Sequence, residues 1–315
     1  MKNIWRAGIF GVVTGDALGC PVQFESRETV ATHPVTGMRG HGSFNLPAGS
    51  WTDDSSLTLA LLDSLCQKGC IDPDHIMRNF VDWLDHGAFT PYGYAYDIGY
   101  GTETAILEFK KHGDPLSCGG TGEDNNGNGS LMRIIPACLF CYRQGMSDED
   151  AVRSVHLVSG LTHAHLRAKI ACGLYFFMIR SVLDGQGSLT ERLQAGLDHG
   201  FAYYESAGTD AAELAHYDRL RNLAAFAETP AENISSSGYV LHTLEAAVWT
   251  LTTTDSFEEN LLKAVNLGRD TDTVGAITGG LAALYYGYES IPEAWLRELK
   301  KREWIEELCE KADTL

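Results

Sequence analysis

The chain is short of positive charge: 24 Lys and Arg stand against 42 Asp and Glu, a formal net charge of −18 at pH 7. Nucleic-acid backbones and anionic membranes are held by Lys/Arg patches, so this composition argues against both as partners. The chain also lacks an apolar run of about 20 residues, the length that spans a bilayer. The stretch from Ala7 to Val13 follows Lys2 and Arg6, but it carries Gly8 and Gly11 and runs into Gly15-Asp16 without a small-residue cleavage pattern. It does not read as a signal peptide. A cytoplasmic location is therefore expected. Eight cysteines are present, yet no second pair stands at zinc-finger distance from a first. Cys66 and Cys70, like Cys138 and Cys141, sit at helical spacing in apolar runs, where thiols act as small buried hydrophobes. Alternating apolar–polar runs, the mark of half-buried strands, are scarce.

What is present is helical periodicity. Apolar residues recur three and four apart over 4–18, 55–67, 74–84, 101–111, 130–143, 148–159, 164–183, 214–228, 240–250, 257–266, 273–286 and 293–312. Asp72-Pro73, Ser147-Asp148-Glu149-Asp150 and Pro292-Glu293 supply start signals for three of them. Stretches 23–50 and 112–129 are rich in Gly, Pro, His and Asn and read as loops. No low-complexity linker or internal repeat divides the chain, so one compact all-α domain over residues 1–315 is expected. Gly8, Gly11, Gly15 and Gly19 in the first helix, and Gly275, Gly279 and Gly280 in the penultimate one, recur at helical spacing. Each costs about 1 kcal/mol against Ala, which points to close helix–helix approach or to room left for a ligand.

Two acidic clusters stand far apart in the sequence, Thr52-Asp53-Asp54 and Asp270-Thr271-Asp272-Thr273, each in front of an apolar helical stretch. Either could be an ordinary helix start, with a capping oxygen and acids that complement the macrodipole. A cap needs one oxygen, however, and adjacent carboxylates repel unless a cation intervenes. Carboxylates and hydroxyls are hard donors that suit Mg²⁺, Mn²⁺ or Ca²⁺ rather than zinc or copper.

Other candidates are less specific. The segment Glu123-Asp124-Asn125-Asn126-Gly127-Asn128-Gly129-Ser130 leads into a helical stretch and could offer N–H groups to a phosphate, or be a surface loop. It matches neither the P-loop nor the dinucleotide pattern. His163 and His165, at i and i+2, face different sides of a helix and do not make a joint zinc site. Asp97 lies among Tyr94, Tyr96 and Tyr100, as a cation acceptor, a general base or an N-cap. Tyr239 could stack on a ring ligand or belong to the core.

Taken in order, several segments resemble the ADP-ribosylglycohydrolase family: Gly8-Ile9-Phe10-Gly11 through Gly15-Asp16-Ala17-Leu18-Gly19, Gly49-Ser50-Trp51-Thr52-Asp53-Asp54 and Gly127-Asn128-Gly129-Ser130-Leu131-Met132-Arg133. Thr162-His163, Gly238-Tyr239-Val240 and Asn266-Leu267-Gly268-Arg269-Asp270-Thr271-Asp272-Thr273 complete the set. The resemblance implies an all-α globule with a binuclear Mg²⁺ or Mn²⁺ centre at the base of an ADP-ribose cleft. Thr52, Asp53 and Asp54 would hold metal from one side, and Asp270, Asp272 and Thr273 from the other. Asn125, Asn126, Gly127, Asn128 and Gly129 would carry the diphosphate, His163 would assist, and Tyr239 with Val240 would lie near the adenine. Glu25 matches a mobile glutamate near the metals, as base or gate. Asp97 matches an aspartate of arginine-directed bacterial members, and Asp53 joins these two as a catalytic candidate.

The implied reaction is metal-dependent hydrolysis of the C1 glycosidic bond that joins ADP-ribose to a protein side chain, arginine first. The partners would be the ADP-ribosylated protein or small molecule and the ADP-ribose product. Alternatives are ADP-ribosylserine, an ADP-ribosylated nucleobase, a free ADP-ribosyl compound, or a non-catalytic ADP-ribose binder. Two departures bear on substrate: Gly268-Arg269 stands where many members have Gly-Gly, and Tyr100-Gly101 replaces polar residues after Asp97-Ile98-Gly99.

Overall fold

Helices Ile4–Gly19 and Thr271–Tyr286 touch backbone to backbone, antiparallel. A β-carbon on Gly11 would strike the Gly279 carbonyl, one on Gly15 the Gly275 carbonyl, and one on Gly19 the Thr271–Asp272 peptide. The repeated glycines of the two helices therefore meet each other. This pair makes the most extensive contact in the molecule and forms its axis, with Leu166–Asp184, Val240–Thr252 and Phe257–Val265 packed around it. The computed structural model describes residues 3–315. Among them are α- and 3₁₀-helices, three isolated bridges and no strand. No helix of the described residues is long and apolar enough to cross a membrane.

The axis has a consequence for function. Because the helices approach so closely, the C-terminal end of Ile4–Gly19 lies against the N-terminal end of Thr271–Tyr286, and helix Asp53–Lys68 starts beside both.

The elements differ from the sequence reading in several places, among them a short helix, Arg27–Thr32, capped by Ser26 within the stretch expected to be loop. Residues 130–134 form turns, and the helix begins at Ile135 because Pro136 restricts the residue before it and suits a first turn. Stretch 214–228 breaks into Ala211–Ala215, a 3₁₀ turn and Leu223–Ala227. Stretch 293–312 breaks at Lys301, whose φ of 48° is left-handed. Helix Leu189–Ser206, which the apolar period did not reveal, is opened by a full capping box between Ser188 and Glu191.

Candidate active site

Asp16 organises the site. It is a fully buried carboxylate on the otherwise apolar first helix. It accepts from the Thr52 N–H at 2.9 and 3.0 Å, from the Ser55 N–H at 3.0 Å and from the Ser55 hydroxyl at 2.5 Å. It thereby caps helix Asp53–Lys68 from another element, and Thr52 makes no cap of its own. Helix Thr271–Tyr286 likewise has no side-chain cap from Asp270. The oxygens of both acidic clusters are thus released from the bland role that their positions suggest.

Those oxygens converge. Thr52 Oγ1 lies 3.3 Å from Asp54 Oδ2 and 3.2 Å from Asp272 Oδ2, and Thr273 Oγ1 lies 3.3 Å from Asp54 Oδ2. Asp97 lines the same cavity as Gln23, Asp53 and Asp270, and its charge repels those of Asp53 and Asp272. Asp270 receives the Asn128 amide at 2.5 Å. Burial, followed by mutual repulsion, pushes Asp53, Asp54 and Asp272 well above the usual carboxylate range. Burial also raises Asp97 and Asp270, and it lifts Asp16 to about 7 against its hydrogen bonds from Ser55 and Thr52. Asp54 Oδ1 and Asp97 Oδ2 are buried without a hydrogen-bond partner.

This donor set fits a hard divalent cation. It consists of carboxylate and hydroxyl oxygens, it carries uncompensated negative charge, and two of its oxygens are orphaned. No three acidic or imidazole side chains among the described residues make a ready-made cage. Octahedral Mg²⁺ sites use one or two carboxylates and complete the shell with other oxygens and water.

A cavity of about 680 Å³ opens above the cluster, within the roughly 300–1,000 Å³ typical of ligand pockets. Asp53, Asp54, Asp97, Asp270 and Thr273 reach its surface, while Thr52 and Asp272 are buried beneath. Asn125, Gly127, Asn128 and Gly129 line one wall. The N–H groups of Gly127 and Gly129 have no hydrogen-bond partner among the described residues. The wall is held by backbone pairing: Asn128 N–H to Gly238 O at 3.0 Å, Val240 N–H to Asn126 O at 2.9 Å, and Gly120 N–H to Thr162 O at 3.2 Å. No Lys or Arg lines the cavity.

His163 also faces it. Its ring is enclosed by glycines: a β-carbon would lie 2.8 Å from the ring at Gly129, 3.0 Å at Gly101 and 3.4 Å at Gly127. Arg133, fully buried, donates to Thr162 Oγ1 at 3.0 Å and also to the carbonyl of Gly129. His163 Nδ1 lies 2.7 Å from Thr162 Oγ1, and the ring tautomer decides which of the two donates. Nε2 is on the cavity side, beside Gly101, Gly127 and Gly129. Burial, reinforced by Arg133, pushes the imidazole down to about 3, so the ring is neutral near pH 7.

Besides Thr52 and Asp272, four expected residues lie outside the lining. Glu25 is half-buried behind Phe24, its carbonyl accepting from the Arg269 N–H at 2.7 Å. Asn126 turns its side chain to the Glu123 carbonyl and the Ala168 N–H. Tyr239 receives Arg167 on its hydroxyl at 3.2 Å and packs edge-on to His242. Val240 is fully buried. His165 caps the helix it opens, accepting from the Arg167 N–H.

The family model for ADP-ribosylglycohydrolase matches residues 2–315. The chain belongs to the ADP-ribosylglycohydrolase family. Among relatives of this enzyme, the ADP-ribosylarginine hydrolase Tri1 of Serratia proteamaculans is 32% identical over 309 residues, covering 97% of this chain and 78% of that one. The ADP-ribosyl-[dinitrogen reductase] glycohydrolase of Rhodospirillum rubrum is 29% identical, covering 92% and 87%. A solved structure titled as an ADP-ribosylglycohydrolase-related protein complex superposes with a TM-score of 0.78 at 33% identity, covering 98% of this chain and 96% of that one. The enzyme is thus a glycosidic-bond hydrolase that removes ADP-ribose.

Reading this glycohydrolase from sequence missed Asp16 as a site residue, along with Gln23, Arg133 and Thr162. The signal for Asp16 was available: a lone carboxylate amid Val12-Val13-Thr14 and Ala17-Leu18 has to be matched by buried donors. Arg269, one of the departures, takes φ of 66°, a conformation that suits the glycine of other members.

Proposed function

We propose that this glycohydrolase cleaves the C1–N bond between ADP-ribose and an arginine side chain, with divalent cations, Mg²⁺ or Mn²⁺, as cofactors. The observation that carries the reading is the pooling of two acidic helix starts, uncapped by their own side chains, beneath a cavity lined by no Lys or Arg. Thr52, Asp53 and Asp54 would hold metal with Asp270, Asp272 and Thr273. Bound there, the ions would supply Lewis acidity toward the ribose hydroxyls and an attacking water.

The remaining roles follow from the protein groups. With no Lys or Arg on the wall, the diphosphate is held by the free N–H groups of Gly127 and Gly129 and by the neutral Nε2–H of His163. Asn125 and Asn128 shape that wall, and Asn126, Tyr239 and Val240 support it from behind. Asp97 sits where the leaving side chain would emerge, half-buried and raised by burial, so it can accept a hydrogen bond from a guanidinium and exchange a proton with it. We assign the acid–base role to Asp97 rather than Glu25, because Asp97 touches the acidic floor and Glu25 does not line the cavity. The similarity to two ADP-ribosylarginine hydrolases supports the choice of leaving group.

The test is hydrolysis of ADP-ribosyl-arginine and ADP-ribosyl-serine with Mg²⁺, with Mn²⁺ and with chelator, on the wild type and on Asp53→Ala and Asp272→Ala. The arginine compound should be cleaved faster, chelation should stop turnover, and each variant should lose about a thousandfold or more while remaining folded, a loss of several kcal/mol in transition-state stabilisation. Undiminished activity after metal stripping would sink the metal assignment. Preferred cleavage of the serine compound would sink the choice of arginine.

A further inference from the structure

Large apolar side chains are exposed at six described positions; three of them, Phe24, Ile98 and Tyr100, stand at the cavity, and a fourth, Tyr94, is joined to Phe24 through other rings. Phe24, Ile98 and Tyr100 line it, and Tyr100 is 83% exposed. Phe24 and Tyr94 belong to a continuous run of rings. Phe24 meets Phe44 at 6.1 Å between centroids, Phe44 meets Tyr96 at 5.7 Å, Tyr96 meets Tyr94 at 5.8 Å, and Tyr94 stacks on Tyr92 at 6.2 Å. The run is anchored from below, where Tyr96 donates to the Trp51 carbonyl and Tyr92 bonds Ser50 at 2.6 Å. A rim so fixed keeps its apolar faces in water, which is a cost unless something covers them.

Its chemistry selects the occupant. Elsewhere Arg or Lys side chains lie over Tyr288, Phe80, Phe176, Phe177, Tyr285, Phe226, Phe201, Trp249 and Trp304. Among the described residues, none of the rim rings carries such a cation. Arg269 pairs with Phe24 through its backbone, its carbonyl accepting from the Phe24 N–H at 2.6 Å. The nearby ionisable groups on the cavity wall, Asp97 and Asp124, are acidic. Open π-faces beside carboxylates attract guanidinium and ammonium groups.

We infer that this aromatic rim docks the polypeptide that bears the ADP-ribosyl group, and that it takes a segment with Arg or Lys beside the modified residue. The inference rests on the reading of the cavity given above and names the substrate that reading leaves open: a basic protein segment rather than a free ADP-ribosyl compound. The cavity grips the nucleotide end, and the rim reads the carrier where it leaves the mouth. An exposed cation–π contact contributes about 0.5–1 kcal/mol, and about 2 when desolvated. Several rings together therefore bear on KM for a peptide without changing the reacting atoms.

The experiment compares ADP-ribosyl-arginine with an ADP-ribosylated peptide whose flanking residues are Arg or, in a second version, Glu. Tyr94 is the residue to vary, because it does not line the cavity and is 52% exposed. Tyr94→Ala should raise KM for the basic peptide about fivefold or more, with kcat unchanged and the free compound unaffected. Tyr94→Phe should restore the peptide KM, Tyr94→Lys should worsen it further, and the Glu-flanked peptide should show little response to any variant. An unmoved KM for the basic peptide, equal losses on peptide and free compound, or equal use of both peptides would overturn the docking while wild-type cleavage of the free compound leaves the cavity reading standing. Failure of the wild type to cleave the free compound would overturn the cavity reading and this inference with it.

Discussion

Residues 147–150 and 52–54 use the same vocabulary, a hydroxyl followed by acids at a helix N-terminus, yet the fold treats them oppositely. At the first, Ser147 caps its own helix by accepting from the Asp150 N–H at 3.2 Å. The acids there lie at the surface, Asp148 paired with Arg180 and hydrogen-bonded to His199 at 2.6 Å, and Asp150 paired with Arg153. At the second, the cap comes from Asp16 on another helix, and Asp53 and Asp54 are 6% and 1% exposed. The contrast separates two uses of one motif. A helix that caps itself is finished at its surface. A helix capped from outside keeps its own oxygens free, and the fold can pool them with those of a second helix.

The contrast can be pushed hardest at the caps. Asp16→Ala strands three buried donors, the N–H groups of Thr52 and Ser55 and the Ser55 hydroxyl. Each stranded group costs about 1–3 kcal/mol. Ser147→Ala exposes its helix end to water and should cost only about 1 kcal/mol. Urea unfolding of both variants measures the difference, and similar losses would erase the distinction between lent and local caps.

A second pair of relays sharpens it. On the surface, Asp148 stands between Arg180 and His199. At the cavity, the hydroxyl of Thr162 stands between Arg133 and His163. An acid would favour a charged imidazole, whereas a hydroxyl that donates to Nδ1 holds a neutral ring with its proton on Nε2. Thr162→Val should raise KM about tenfold, equivalent to about 1.4 kcal/mol, and shift the ¹⁵N resonances of His163. Thr162→Ser should restore both, and His199→Gln should change neither. A tautomer unaltered in Thr162→Val would break the parallel.

The smallest expected effect concerns backbone shape. Helices Asp53–Lys68, Pro73–His86 and Tyr100–His112 end at Gly69, Gly87 and Gly113, with φ of 65°, 64° and 72°. Just ahead of Asp270 the same conformation falls on Arg269, at 66°. A side chain there costs about 1 kcal/mol, so Arg269→Gly should raise stability by about 0.5–1 kcal/mol in thermal unfolding. A loss of stability would mean that the Arg269 side chain contributes more than its backbone strain costs.

Much of the molecule was legible wherever the signal was local. The helical period of 4–18, 55–67 and 273–286 matches helices Ile4–Gly19, Asp53–Lys68 and Thr271–Tyr286 to within a few residues. The glycines of the first and last of these could be read as a contact surface because repeated glycine has few other uses inside a helix. Reading failed where a helix start depended on something other than period. Helix Leu189–Ser206 is diluted by Gly196, His199 and Gly200 but announced by its capping box, and the helix expected at Ser130 waits for Pro136. Among site residues, Gly127 and Gly129 are where a phosphate-facing wall was expected, whereas Tyr239 and Val240 stand behind it, since a short motif does not say which side of its loop faces a ligand.

The sequence by itself determined the helical class, the acidity, and the two oxygen-rich clusters, because composition and period depend only on neighbours along the chain. Tertiary structure alone decided that the clusters share one floor. That outcome depends on glycines of two distant helices meeting at backbone contact and on Asp16 lending its carboxylate across the gap, and long-range contact of this kind leaves no mark in local spacing.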